Sequence, residues 1–221
     1  MTITKSHINA FTHLHKSTMK HRFSNLIVAI AMLGILPGCS APQGTKDEKT
    51  MTSQLKPIDV REEFAKNGFN WFTENLILCS GDSTENNAMT IGWGGIGNYL
   101  GHDRPTVTVY VAPARYTWQF MERHPRFTVM QFDNPEVAKY MGSHSGRDGD
   151  KAQALGLHTA YTKNGTPYYL EASSVIECEI MTAWHQTEAD FRNDTPRMWY
   201  NGFEAGIHTV YIGEVIGAWR R

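Results

Sequence analysis

The clearest hydrophobic pattern in the chain is a strict alternation over Thr106–Ala112. Its sequence, T-V-T-V-Y-V-A, consists almost entirely of β-branched and aromatic residues, with valine at every second position, which is typical of a strand with one buried face. Shorter apolar segments bounded by polar or glycine-rich turns predict further strands. These are Asn75–Ser80, Ala88–Trp93, Phe127–Phe132, Ser174–Ala183 and His208–Ala218.

Three segments between these strands predict short helices, over Tyr116–His124, Pro135–Met141 and Lys151–Leu155. Pro125 ends the first helix, and Pro135 suits the first turn of the second. Many short strands with few short helices predict a mainly β fold of the α+β type. A barrel or a sandwich with appended helices would both satisfy this pattern.

A continuous apolar run at Leu26–Leu36 follows a basic segment and precedes L-P-G-C, which ends at Cys39. Eleven residues are too few to span a bilayer comfortably, so the run indicates a secretory signal. The placement of Cys39 resembles a bacterial lipoprotein signal, in which the cysteine is lipidated, although Pro37 is unusual there. An uncleaved membrane anchor is the alternative, and Met19 is a possible true start.

These patterns predict three parts of the chain. Residues 1–39 form the signal, the polar residues 40–56 form a flexible tether, and residues 57–221 form one domain. We expect a lipid-anchored, extracytoplasmic protein of the bacterial cell envelope, which touches the membrane only through its N-terminal lipid.

The composition limits the classes of partner and of chemistry. The 221 residues carry a formal net charge of -1, so no overall field attracts nucleic acid, and none is expected as a partner. Cys79 and Cys178 lie in apolar segments, which favours buried thiols over a disulfide. Asp148 and Asp150 lack the further ligands of a calcium loop, and the histidines show no ligand spacing, so no metal is expected.

The segment Gly142–Lys151, G-S-H-S-G-R-D-G-D-K, cannot build a core. Its glycines allow the backbone to approach a ligand closely, and its hydroxyl and cationic side chains can donate hydrogen bonds. Such a loop suits a phosphate-bearing or highly polar ligand. A solvated surface loop is the other interpretation.

The turn Arg115–Thr117 stands between the clearest strand and the first helix. A helix N-terminus exposes free N–H groups and a partial positive charge, and arginine grips phosphate in a fork, so this turn is a candidate phosphate site. An ordinary capped helix with a solvated arginine is the alternative. Gly92–Gly97 matches G-x-G-x-x-G by letter, but Pro105 leaves no room for the helix of a dinucleotide fold, so we interpret it as a glycine-rich strand exit.

Four segments in order resemble the flavin reductase-like, flavoredoxin-type family: Asn87–Gly94, Arg104–Thr117, Gly142–Lys151 and His208–Val215. The resemblance runs from about Phe64 to Trp219. It implies an antiparallel FMN-binding split β-barrel with a few short helices. It also implies a homodimer with the flavin near the subunit interface.

The resemblance implies a set of site residues. The FMN contacts would be Asn87, Met89 and Thr90 beside the isoalloxazine, Arg115, Tyr116 and Thr117 at the phosphate, and Ser143, Ser145, Gly146, Arg147, Asp148 and Lys151 in a loop over the flavin. His208 is the candidate catalytic residue. A donor such as Lys151 or a backbone N–H group is expected at the flavin N1–C2=O edge, and an apolar side chain such as Trp93 or Met89 is expected to cover one ring face. Relatives often carry a basic residue where this chain has His144.

The activity implied is that of an FMN-dependent oxidoreductase, which reduces flavin with NAD(P)H or relays electrons through bound FMN to a redox partner protein. The cofactor carries the electrons, so neither a catalytic triad nor paired carboxylates are needed. Two alternatives stay open: an envelope electron carrier without NAD(P)H activity, and a cofactor-free lipoprotein that binds a partner.

Overall fold

The computed structural model describes residues 54–72 and 76–221, and within them it has ten strands and five α-helices. The strands are β1 (Lys56–Pro57), β2 (Leu76–Gly81), β3 (Asn86–Ile91), β4 (Gly94–Asn98), β5 (Pro105–Val111), β6 (Arg126–Gln131), β7 (Thr159–Tyr161), β8 (Pro167–Tyr169), β9 (Ser174–His185) and β10 (Thr209–Arg220). The helices are α1 (Val60–Asn67), α2 (Tyr116–Arg123), α3 (Pro135–Ser143), α4 (Lys151–Ala154) and α5 (Asp194–Tyr200), with 3₁₀ turns at Phe69–Phe72 and Glu188–Asp190.

All predicted strands and helices are present, with shifted ends. β3 begins two residues earlier than predicted and ends before Trp93, and β10 begins directly after His208. Asn75, the predicted start of β2, lies outside the described residues, as do Cys39 and nearly all of the predicted tether. No helix in the described part of the chain is long and apolar enough to cross a membrane.

The glycine-rich segment after β3 differs from the prediction. Gly94–Asn98 forms a complete edge strand, β4, rather than only a strand exit, and it pairs with β5 along its whole length. A Cβ atom at Gly94 would lie 2.0 Å from a ring carbon of Phe72, so this backbone approaches an aromatic ring too closely for any other residue. This segment is a strand because it pairs with β5, and the strand propensity of its residues does not predict such pairing.

One antiparallel sheet dominates the fold, in the strand order β3-β2-β6-β9-β10-β5-β4, with β1 added at the end of β10. Ile91 of β3, Val107 of β5 and Ile176 of β9 belong to one buried cluster although they come from distant parts of this order. The sheet therefore curls around a common core, as a barrel does. The predicted mainly β architecture with a few short helices is confirmed.

Strand β2 is buried on both faces, which explains its continuous apolar sequence. Leu76 and Leu78 point into the barrel core, whereas Ile77 and Cys79 join a second cluster under α3 and the β7–β8 hairpin. Successive residues of a strand point to opposite faces, so a run without alternation indicates burial on both sides. This second cluster fixes α3, and with it the start of the polar loop, against the sheet.

The two cysteines of the described residues are free and fully buried, which confirms the sequence prediction. Burial raises the pKa of the Cys79 thiol to about 12, and it raises the pKa of Cys178 well above its usual range. A thiol is nucleophilic only as the thiolate, so neither side chain is chemically reactive.

A buried carboxylate on β9 fastens the β7–β8 hairpin to the sheet. Glu177 is fully buried and accepts hydrogen bonds from Thr162 Oγ1 at 2.7 Å, Asn164 Nδ2 at 3.1 Å and Thr166 Oγ1 at 2.6 Å. All three donors lie in the hairpin turn. A buried charge is tolerated when its oxygens are satisfied by donors, as they are here.

We predict that Glu177→Ala lowers the free energy of unfolding by about 2–4 kcal/mol, because it leaves three hydroxyl and amide donors of the hairpin without their acceptor. Glu179→Ala, on the same strand but half exposed and paired with Arg126, is the matched control, with an expected loss below about 1 kcal/mol. Urea denaturation followed by tryptophan fluorescence measures both, and equal losses would contradict the assignment.

Candidate functional site

One cavity of about 500 Å³ collects nearly all of the residues that the sequence singled out. It lies between β3, the N-terminus of α2, the polar loop and the residues that follow α5. Its lining includes Asn87, Met89, Thr90, Arg115, Tyr116, Thr117, Ser143, Ser145, Gly146, Arg147, Lys151 and His208. Asp148 is exposed in the same loop and does not line the cavity.

The N-terminus of α2 supplies the cationic end of the cavity. Arg115 is the N-cap residue, with extended backbone and no side-chain hydrogen bond to the first turn, so that turn keeps donors for a ligand. The side chain of Arg115 is exposed and forms no ion pair with any described residue. Free N–H groups, the helix dipole and a guanidinium therefore converge at one place.

Strand β3 is joined to this helix through buried polar groups. Asn87 Nδ2 donates to Thr117 Oγ1 at 2.7 Å and to the Ala88 carbonyl at 3.3 Å. Both side chains are buried, so this bond fixes the strand and the helix N-terminus relative to each other. The Thr117 hydroxyl accepts in this contact, and its own proton stays available for donation into the cavity.

The polar loop approaches this pair closely at one glycine. A Cβ atom on Gly146 would lie 1.9 Å from Asn87 Oδ1 and 2.9 Å from a ring carbon of Tyr116. Only glycine lets the loop reach this depth. The sequence left two interpretations of this segment open, a ligand-binding loop and a solvated surface loop. The close packing of Gly146 beside the cavity favours the ligand-binding loop.

Further contacts dock the loop on the helix N-terminus. The Arg147 guanidinium lies 4.9 Å above the Tyr116 ring, and its Nη1 donates to the Ala114 carbonyl at 3.2 Å. Ser145 Oγ accepts from the Arg147 backbone N–H. Stacking of an arginine on an aromatic face places a second cation beside Arg115 at the same end of the cavity.

Lys151 is buried under the loop, with an unusual set of partners. Its Nζ donates to the carbonyls of Ala88 at 2.6 Å and of Met141 and His144 at 3.3 Å. No carboxylate of the described residues pairs with it, and burial lowers the pKa of its ammonium. Because three carbonyls take its three N–H bonds, a ligand meets the charge of this group rather than the direct hydrogen bond that the sequence led us to expect.

Aromatic rings line another part of the cavity. The ring centroids of Trp93 and Trp199 are 4.4 Å apart, and those of Trp93 and His208 are 4.8 Å apart. Phe203 stacks on His208 at 5.7 Å. We call Trp93, Trp199, Phe203 and His208 the aromatic wall. Burial, and then the positive charge of Arg115, lowers the pKa of His208 to about 4, so this imidazole is neutral at neutral pH.

Sequence reasoning missed part of this wall. Trp199 and Phe203 lie in and after α5, a helix that had no predicted counterpart, and they line the cavity. The signal was present as the dense aromatic sequence M-W-Y-N-G-F, but nothing local relates it to β3. His144, set apart because relatives differ there, stacks on Tyr140 at 3.8 Å within its own helix end.

The site contains the parts that an aromatic phosphate ester requires. A cationic helix N-terminus, a closely approaching loop backbone and aromatic rings share one cavity whose volume lies within the range of cofactor pockets. Among the described residues, no cluster of three or more His, Cys, Asp or Glu side chains is arranged to hold a metal ion. The cations and hydroxyl groups that line the cavity, together with its volume, fit FMN in charge and size.

Several solved structures share the fold of this chain. A search of curated proteins finds no match. Among solved structures, the FMN-binding domain of a flavin reductase-like enzyme from Shewanella baltica matches at a TM-score of 0.55 and 16% identity, covering 75% of this chain and 76% of that one. An FMN-binding protein from Thermus thermophilus matches at 0.51 and 22% identity, covering 66% and 69%. Flavoredoxin from Methanosarcina acetivorans matches at 0.51 and 18% identity, covering 67% and 68%.

At these identities the solved structures establish the fold, which is the split β-barrel that the resemblance implied. The sequence profile of the family described as "Flavin reductase like domain" matches residues 72–221. That span is more than half of the chain, and it contains the whole of the cavity described above. The chain therefore belongs to the flavin reductase-like domain family.

Proposed function

We propose that the chain binds FMN in this cavity and acts as an oxidoreductase, which either reduces flavin with NAD(P)H or relays electrons through the bound cofactor. The observation that carries the proposal is the convergence of a cationic helix N-terminus, a glycine-dependent loop and an aromatic wall on one cavity. FMN, when bound, supplies the electron-transfer chemistry, and the protein supplies binding, orientation and charge.

The phosphate of the cofactor would be held at the N-terminus of α2. Arg115 has no competing ion pair in the described part of the chain, and Arg147 is held nearby over Tyr116. A dianionic phosphate there would receive charge-assisted hydrogen bonds from the guanidinium and from backbone N–H groups. Thr117 adds a hydroxyl from the first turn.

The ring system would lie along β3, beside Asn87, Met89 and Thr90, which all line the cavity. The buried charge of Lys151 lies directly behind this strand, through its bond to the Ala88 carbonyl. A fixed positive charge in a poorly solvated place favours a ligand that gains negative charge. Lys151 therefore supports the reduced cofactor by its field and holds the loop in position.

An electron carrier without NAD(P)H activity is the second candidate, and the N-terminal sequence favours it. The apolar run and Cys39 support a lipid-anchored place in the cell envelope, where nicotinamide nucleotides are scarce. The third interpretation is a binding protein without a cofactor, in which the cations of this cavity would have no phosphate to bind. The unpaired Arg115 in the described structure argues against it.

We predict that Arg115→Ala weakens FMN affinity about tenfold to a hundredfold, because one charge-assisted, forked contact to the phosphate is lost. Quenching of FMN fluorescence on titration into the full chain, purified in a mild detergent, gives the dissociation constant. Arg115→Lys keeps the positive charge but loses the forked pair of hydrogen bonds. Its FMN affinity should therefore lie between that of the wild-type chain and that of Arg115→Ala.

Arg123→Ala is the matched control for this titration. Arg123 lies at the opposite end of α2 and pairs with Glu85, so its loss should leave FMN affinity unchanged. Retained affinity in both Arg115→Ala and Lys151→Met would contradict the proposed binding mode, whereas a wild-type chain that binds no FMN would favour the cofactor-free interpretation.

Turnover separates the two oxidoreductase candidates. We predict that the FMN-loaded chain oxidises NADH or NADPH at a rate that follows the flavin content, which absorbance at 340 nm would record. Free FMN at the same concentration is the control. A loaded chain that oxidises neither nucleotide above this control, yet is bleached by dithionite, would instead be an electron carrier.

We also propose envelope anchoring through Cys39 and a homodimeric assembly, both supported by sequence patterns alone. We expect metabolically supplied palmitate to label the wild-type chain and not the Cys39→Ser variant. For the assembly, we expect sedimentation of the Cys39→Ser chain to give twice the monomer mass. Equal labelling of the two chains would contradict lipidation, and a monomer mass would contradict the assembly.

A further inference from the structure

A second cavity, of about 300 Å³, lies beside β1 and the β7–β8 hairpin. Its lining is mostly apolar or aromatic and consists of Leu55, Tyr161, Thr162, Lys163, Tyr168, Val175 and Trp219. None of these residues lines the larger cavity proposed for FMN. The volume is at the lower end of the range for ligand pockets. We call this cavity the hairpin pocket, and flavin chemistry does not use it.

The walls of the hairpin pocket are held in place by the sheet. A Cβ atom at Gly217 would lie 2.3 Å from a ring carbon of Trp219, so the absence of a side chain there lets the indole lie close to its own strand. Trp219 also pairs with Pro57 of β1. Tyr168 and Val175 are 8% and 1% exposed, so the floor of the pocket belongs to the core. The pocket is therefore formed by packing that needs no ligand.

The mouth of the pocket combines an exposed ring with exposed cations. Tyr161 is 39% exposed, and Lys163 is exposed beside it in the hairpin turn. Lys56, which follows Leu55, is exposed as well. Tyrosine, tryptophan and lysine side chains together are typical of surfaces at the boundary between water and lipid, since their apolar parts contact acyl chains and their polar ends reach the headgroups.

The charge at the pocket favours an anionic ligand. Of the described residues that line it, one is a lysine and none is acidic. Lys163 forms no ion pair with any residue of the described ranges. Thr162 donates its hydroxyl to Glu177, but that carboxylate is fully buried and accepts from three donors of the hairpin. A lysine near a bilayer is attracted to anionic headgroups.

The sequence brings a membrane to this side of the domain. Leu55 follows the predicted lipidation site, Cys39, by sixteen positions, which is at most roughly 55 Å of fully extended chain. The predicted tether therefore reaches the domain at a residue that lines the hairpin pocket. A lipid-anchored chain would keep this pocket close to the bilayer, at a high effective concentration of lipid.

We propose that the hairpin pocket binds an anionic phospholipid of the membrane, with the end of an acyl chain between Tyr161, Tyr168 and Trp219 and the phosphate beside Lys163. Binding would hold the domain against the bilayer in one orientation. The inference rests on the proposed anchoring at Cys39 and is independent of FMN binding.

Tryptophan quenching in mixed micelles tests the position of the acyl chain. The full chain in a mild detergent is titrated with phosphatidylglycerol whose acyl chains carry bromine, which quenches tryptophan fluorescence on contact. All six tryptophans lie after residue 70, so the anchor segment contributes no emission. We expect the quenched part of the emission to fall in Trp219→Phe.

Trp184→Phe is the matched control for this quenching, because it removes a tryptophan that is 50% exposed and lies outside the pocket. It should keep the quenched part of the emission at its wild-type value. An equal fall in the two variants, or no quenching of the wild-type chain, would overturn the inference.

A second lipid tests the charge. Brominated phosphatidylcholine has the same acyl chains and no net charge, and we expect about fivefold more of it to be needed for half-maximal quenching, the contribution of one lysine near an anionic surface. Lys163→Gln should bring the two lipids close to equality, whereas Lys139→Gln, on α3 outside the pocket, should keep the difference. Equal quenching of the wild-type chain by both lipids, or an unchanged difference in Lys163→Gln, would contradict the proposed site.

Palmitate labelling separates this inference from the anchoring on which it rests. A wild-type chain without label would contradict lipidation of Cys39, but the micelles still present phospholipid to the pocket, so the quenching experiment decides on the site by itself. A labelled chain whose Trp219 is not quenched would overturn this inference alone.

Discussion

The buried ammonium of Lys151 is the contact on which the shape of the site depends. It draws the end of α3, the loop that follows and strand β3 together through three carbonyls. Burial of an ammonium is costly, and the cost is offset only while all three N–H bonds are satisfied. The loop is therefore held in one arrangement, with Gly146 against Asn87 and Arg147 over Tyr116. The same charge then lies behind the surface on which a flavin ring would rest.

The strands of the barrel give the site its fixed geometry, and the segments that connect the strands supply most of its functional groups. Strands β3 and β5 are fixed by the core and carry few of the donors. The N-terminus of α2 and the polar loop carry the cations, and the turn after β3, helix α5 and the residues after α5 carry the aromatic rings. Rigid strands with functional loops at their ends are a common way to combine precise geometry with varied chemistry. Glu177 fastens the β7–β8 hairpin through buried hydrogen bonds, as Lys151 fastens the polar loop, but it lies away from the site.

Much of the fold could be predicted because the responsible signals are local. The alternation of β5, the doubly buried run of β2 and the proline boundaries of α2 and α3 each reflect the chain's own neighbours. The segments that were missed lack such a signal. β4 is a run of glycines that becomes a strand only by pairing, and β7 and β8 are three-residue strands held by a buried glutamate.

The sequence by itself determined the types of group at the site: a loop without core residues, an arginine before a helix, and the ordered segments that resemble a flavin-binding family. Only the tertiary structure decided what these groups do. It turned Lys151 inward to carbonyls, left Asp148 in solvent, and brought Trp93 against Trp199 and His208. The physical reason is that the decisive contacts join residues far apart in the chain, by 30 positions for Asn87 and Thr117 and by 63 for Ala88 and Lys151. Such pairings depend on the path of the chain through space, which composition and periodicity do not encode.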